Sequence, residues 1–133
     1  MNLPRMDFGA AVGVGSADSF VTMKYINPSS QYNGTEFKTQ TIKNSLDPQF
    51  NENFSLPIMQ VDDPGRISFT VIDWDRFSKN DIIGSCEVSS FMLAEMCKNV
   101  EGEEELDLVG AKNTPVKGAN KQTAVLRVSW RYQ

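Results

Sequence analysis

The residues best equipped for chemistry lie in one run: Val71-Ile72-Asp73-Trp74-Asp75-Arg76-Phe77-Ser78-Lys79-Asn80-Asp81-Ile82-Ile83-Gly84. Two apolar stretches, Ile67 to Ile72 and Ile82-Ile83, flank a polar loop with three aspartates. Asp73 and Asp75 are two positions apart, so an extended backbone points both the same way. Asp81 returns after the turn Ser78-Lys79-Asn80, just ahead of the next apolar stretch. Three acids converging at a strand end repel one another unless a cation sits among them. Carboxylate oxygens are hard ligands that suit Ca2+, whereas Zn2+ favours His and Cys. A helix-loop-helix calcium loop needs Gly at its sixth position and a bidentate Glu at its twelfth. Counted from Asp73, those positions hold Ser78 and Gly84, and the flanks read as strands. That motif is excluded. The bland alternative is a solvated hairpin whose aspartates only keep a turn polar.

The surrounding chain supplies elements to hold this loop. Phe20 to Ile26 alternates as a strand, with Phe20 and Thr22 on one face. Glu36 to Ile42 reads as the next, with Phe37, Thr39 and Thr41 opposite Lys38, Gln40 and Ile42. Asn44-Ser45 and Asp47-Pro48 force a turn, after which Phe50, Phe54 and Leu56 give a short strand its apolar face. Ile67, Phe69 and Val71 alternate with Ser68, Thr70 and Ile72 toward the acidic loop, and a strand follows it to Val88. Phe91 to Val100 holds helix formers enough for one or two turns. Glu101-Gly102-Glu103-Glu104-Glu105 reads as a solvated edge, Leu106 and Leu108 as a brief strand. Val109 to Gln122 is a polar connector, and Ala124, Leu126, Val128 and Trp130 alternate through the last strand. About seven strands with little helix predict an all-β sandwich, one domain over residues 1–133.

Two stretches resemble the C2 domains of synaptotagmins, protein kinases C and phospholipases C. The Asp73 to Asp81 segment looks like their third calcium-binding loop. Lys38-Thr39 and Lys43-Asn44-Ser45-Leu46-Asp47-Pro48, leading to Phe50-Asn51-Glu52-Asn53-Phe54, looks like their Lys-Thr-x-x-x-Lys-x-Ser-Leu-(Asn/Asp)-Pro signature. The resemblance implies an antiparallel, eight-stranded Greek-key β-sandwich with Ca2+ held by aspartates of two loops at one end. Asp73, Asp75 and Asp81 match the third-loop aspartates, and Ser78 lies where the family often adds a ligand. Asp18 matches the aspartate of the family's Ser-Asp-Pro-Tyr-Val, with Ser19 here in place of proline. Asp7 resembles the aspartate that follows Asn-Leu-Pro. The step from Asp7 to Asp18 is 11 residues, longer than the family's usual gap. Arg76 and Phe77, at the tip of the third loop, stand where the family places basic and apolar membrane contacts. Phe8 is expected to serve likewise from the first loop. A family strand of Leu-x-Val-x-Val type precedes Asn-Leu-Pro. Here the sequence begins at Met1-Asn2-Leu3-Pro4, so that strand is expected to be missing. Ala124 to Trp130 is then expected to have unpaired backbone groups, open to another segment or to a strand-exchanged dimer.

Composition narrows the function. The formal net charge of −4 argues against nucleic-acid binding, which favours a basic face. Two bound Ca2+ ions would change the charge of an acidic end by about +4, which suits a calcium switch. With 2 cysteines and 0 histidines, neither a disulfide framework nor a zinc site is expected. No apolar run reaches membrane-spanning length, and Met1 to Asp7 lacks a signal-peptide core. A cytoplasmic protein that reaches a membrane peripherally when calcium rises is the expectation. No activated Ser or Cys and no phosphate loop is visible, so no enzyme is expected. The leading reading is a calcium-dependent module for anionic phospholipid. Its alternative is a calcium-independent C2 domain that binds a protein partner.

Overall fold

The computed structural model describes residues 18–58, 62–75, 79–99, 101–117 and 123–131. Among them the strand most determined by its sequence is β3, Arg66–Asp73. Its period of two buries Ile67, Phe69 and Val71 and leaves Arg66, Ser68 and Thr70 on the other face. β3 pairs antiparallel with β1, Ser19–Ile26, on one side and with β4, Asp81–Val88, on the other. A short β2, Glu36–Lys38, adds to β1, giving the order β2-β1-β3-β4. After β4 comes α1, Ser90–Lys98, and then a second antiparallel sheet of β5, Glu101–Asp107, and β6, Val125–Arg131. Apolar side chains of both sheets meet in one cluster: Val71, Cys86 and Val88 from the first, Leu106 and Leu126 from the second, with Leu108 and Ala124 beside them. The result is the expected β-sandwich. No helix among the described residues is long and apolar enough to cross a membrane.

Several elements differ from expectation for identifiable reasons. β1 sends Val21, Met23 and Tyr25 into the core cluster, and Phe20 is buried on the opposite side, where the Lys38 ammonium lies 4.5 Å from its ring centroid. The strand expected over Glu36 to Ile42 stops at Lys38. Thr39 Oγ1 accepts the Val21 N–H at 2.9 Å, replacing a backbone carbonyl in the ladder. Pairing resumes as a single bridge between Ser19 and Ile42, one residue out of step. No strand forms at Phe50 to Leu56. Asn51 takes a left-handed φ of 51°, and the Glu52 carboxylate, in place of a backbone acceptor, takes the Gln40 N–H. Phe54 stacks on Phe37 with ring centroids 4.9 Å apart, so the apolar residues of this stretch still pack, without a ladder.

The acidic run of residues 101–105 is a strand, not a mere solvated edge. Its partner strand supplies the counter-charges: Arg127 pairs with Glu103 and Glu105, and Arg131 with Glu101. Six strands are present among the described residues, against about seven expected. α1 is longer than one or two turns because Ser89 caps it, its Oγ accepting the Met92 N–H at 3.2 Å. β6 pairs with β5 alone among the described residues.

Trp130 ties α1 to the second sheet. Its indole lies across Gly102, its register partner on β5, and Nε1 donates to the Met96 carbonyl at 3.2 Å. A Cβ at residue 102 would run into the six-membered ring of that indole. Gly102→Ala is therefore expected to cost about 1–3 kcal/mol by overpacking, a melting-temperature loss of several degrees. Thermal denaturation followed by circular dichroism checks it, and an unchanged melt would show that the indole yields freely.

Candidate functional site

The described carboxylates gather through strand register. Asp73, the last residue of β3, is opposite Ser19 at the start of β1 and opposite Asp81 at the start of β4. The second pairing depends on an irregularity. Val71 faces Gly84 but Ile72 faces Ile82, which leaves Ile83 as an extra residue on β4. Without it Asp73 would face Ile82, and Asp81 would slip one place past the strand end. The bulge also lets Ile83 enter the core while its neighbour Ile82 stays 68% exposed.

Asp18, immediately before β1, closes the group from the other side. Its backbone N–H donates to Asp73 Oδ1 at 3.0 Å, and its carbonyl accepts from the Trp74 N–H at 2.7 Å. Its own Oδ1 accepts the Asn44 N–H at 2.7 Å. Asn44 has a left-handed φ of 55°, a conformation asparagine tolerates better than most residues. Lys43 beside it places its ammonium 5.3 Å from the centroid of the Trp74 ring. β3 has ended by Asp75, so the extended-strand geometry expected to align Asp75 with Asp73 does not reach it. The Asp75 N–H donates instead to Asn80 Oδ1 at 2.8 Å, closing the two legs of the loop on each other.

The electrostatics register this crowding. Partial burial raises the Asp73 carboxyl above its ordinary range, against the lowering effect of the Asp18 N–H, and the charges of Asp18, Asp81 and Asp75 push it up further. All four aspartates therefore act on one place. The donor set is carboxylate oxygen, the chemistry that a hard cation such as Ca2+ selects. Among the described residues no three such groups converge closely enough to form a finished metal cage. Asp7, Phe8, Arg76, Phe77 and Ser78, also expected at this end, lie outside the described residues.

The sequence pattern gives Asn44, Asn80 and Lys43 no role beside the aspartates. Their signal was the turn chemistry of Lys43-Asn44-Ser45 and of Lys79-Asn80-Asp81, which marks bends without saying what the bends hold. Neither cysteine is poised for chemistry. Burial, with the Asp107 charge behind it, pushes the Cys86 thiol up to about 12, and burial raises Cys97 as well.

Comparison with known sequences gives the family. The C2 domain family model matches residues 1–108, and the chain belongs to that family. It is 36% identical over 101 residues to arrestin domain-containing protein B of Dictyostelium discoideum, covering 75% of this chain and 15% of that protein. Over 64 residues it is 44% identical to Protein kinase C, eye isozyme, of Drosophila melanogaster, covering 48% of this chain and 9% of the relative. Human synaptotagmin-9 is 33% identical over 93 residues, 69% of this chain and 17% of its own length. The chain thus spans no more than 17% of these three curated relatives. A solved structure from work on how CC2D1B coordinates ESRCT-III activity during the mitotic reformation of the nuclear envelope superposes with a TM-score of 0.69. That likeness covers 98% of this chain and 52% of the other at 17% identity, and speaks for the fold alone.

The raised Asp73 carboxyl has a consequence for stability. A carboxyl whose folded-state pKa is raised favours the fold while protonated, and that advantage is lost as the pH climbs through the raised value. Asp73→Asn keeps an oxygen for the Asp18 N–H but cannot ionise. In chelator at about pH 7 the variant is expected to melt above the parent chain, and the gap should narrow as the pH falls through the carboxylate range. A gap independent of pH would mean that charge crowding at Asp73 is not the cause.

Proposed function

We propose that this C2 domain is a calcium-dependent module for anionic phospholipid surfaces, with Asp18, Asp73, Asp75 and Asp81 holding the cation. The observation that carries the reading is the strand register that sets Asp73 opposite Asp81, with the Asp18 N–H bonded to the Asp73 carboxylate. Asp7 and Ser78 complete the ligand set in this reading. Bound Ca2+ would supply the positive charge that makes an acidic end compatible with lipid phosphate.

The chain's own residues have three tasks. The bulge at Ile83 keeps Asp81 level with Asp73. The Asn44 and Asp18 N–H groups hold one oxygen of Asp18 and one of Asp73 in place. Arg76 at the loop tip pairs with lipid phosphate, and Phe77 and Phe8 enter the boundary between headgroups and acyl chains. Cation binding and lipid binding then strengthen each other by linkage. The protein is accordingly a cytoplasmic, peripheral membrane module that docks when calcium rises.

A second reading, a calcium-independent C2 domain that binds a protein, draws on the absence of a closed cage among the described carboxylates. Sedimentation with phosphatidylserine-containing vesicles separates the two. The parent chain is expected to sediment in calcium and not in chelator, and Asp75→Asn to lose the calcium-dependent fraction while keeping its circular dichroism spectrum. Equal sedimentation of both proteins would remove the aspartates from the mechanism.

A further inference from the structure

The far end of the molecule carries a second surface. β4 takes the chain about 23 Å from Asp81 to Val88 at ordinary strand rise, and α1 begins two residues later. Between α1 and the β5–β6 sheet lies a groove of about 150 Å³ whose lining includes Phe91, Met92, Met96 and Trp130, with Glu95 and Glu104 at its rim. Phe91, 77% exposed, stands in the first turn of α1. The groove is open to solvent on one side, and its volume is comparable to that of about one benzene-sized group.

The walls are partly fixed and partly adaptable. Trp130 is held by Gly102 beneath it and by its bond to the Met96 carbonyl, so its ring position is set before any ligand arrives. The two methionines can repack around different side chains.

Charge decides what fits. Glu101, Glu103 and Glu105 share one face of β5 and are matched there by Arg131 and Arg127. Glu104 alternates onto the opposite face, toward the groove, and makes no ion pair among the described residues. Glu95 pairs with Lys98 at 3.1 Å. The groove therefore offers an apolar slot beside a carboxylate that has no ion pair among the described residues. An anionic lipid surface is repelled there, and a second copy of a chain with net charge −4 is a poor complement.

The geometry points to this groove as a docking site for a segment of a partner protein that carries one bulky apolar side chain beside a lysine or arginine. The apolar group enters between Phe91, Met96 and Trp130, and the cation meets Glu104. Because the groove and the four aspartates lie at opposite ends, one molecule can hold this partner while its acidic end faces something else.

The test uses the 15N-labelled chain and nine-residue peptides, each with one Leu or Phe flanked by Lys or Arg, followed by two-dimensional NMR. Saturable shifts are expected in α1, in Gly102 to Glu104 and in the Trp130 indole N–H. Peptides with Glu in place of the basic residues should produce none. Glu104→Lys should weaken binding about tenfold or more, and Phe91→Ser, at an exposed position, should abolish it with the melting temperature unchanged. No saturable shift with any basic peptide at millimolar concentration would overturn the assignment. So would equal binding of the Glu-flanked peptides. Groove shifts that instead track a doubling of the light-scattering mass, or the addition of phosphatidylcholine–phosphatidylserine vesicles, would assign the surface to a second copy or to lipid and likewise overturn it.

Discussion

Antiparallel pairing across β1, β3 and β4 forces like charges together at one end of the sandwich. Asp73 ends the central strand, its neighbours in the sheet are the start of β1 and Asp81, and Asp18 is bound to it through the backbone. Such an arrangement is unfavourable by Coulomb's law, and the partial burial of Asp73 makes it worse. The hydrogen bond from the Asp18 N–H offsets only part of that cost. Much else at this end serves the same placement: the extra residue at Ile83, the left-handed turn at Asn44 and the bond from Asp75 to Asn80. A partly buried carboxyl whose titration is shifted by neighbouring charges marks a candidate site.

The rest of the sandwich supplies rigidity to that end. Val71 and Ile83, the residues just inside the acidic rim, are buried in the shared core. Close packing there limits how far the strand ends can spread to relieve repulsion. The backbone positions of Asp18, Asp73 and Asp81 are tied to the ladder.

The acidic loop and the strands on either side of it were legible because their signals are local: alternation at Ile67 to Val71, and the spacing of Asp73, Asp75 and Asp81. Pairing details were not. Nothing in Ile82-Ile83-Gly84 says which residue is the extra one, since that is settled by whether Asp81 or Ile82 faces Asp73. Thr39 looked like a strand residue and is adjacent to one, yet its hydroxyl replaces a backbone acceptor and ends the ladder. The glutamates of β5 looked like a merely solvated edge because their partners, Arg127 and Arg131, are more than twenty residues away. In each case the deciding interaction joins residues distant in sequence, which periodicity does not report.

Thermal unfolding shows whether the four aspartates form a cation site. The chain would be melted in millimolar calcium and again in chelator, with magnesium as the control for general ionic effects. A cation at a hundred times its dissociation constant adds about 2.7 kcal/mol of stability, which raises the melting temperature of a domain this size by several degrees. An upward shift specific to calcium is the predicted result. A cooperative melt at the same temperature in calcium and in chelator would mean that the aspartates hold no calcium.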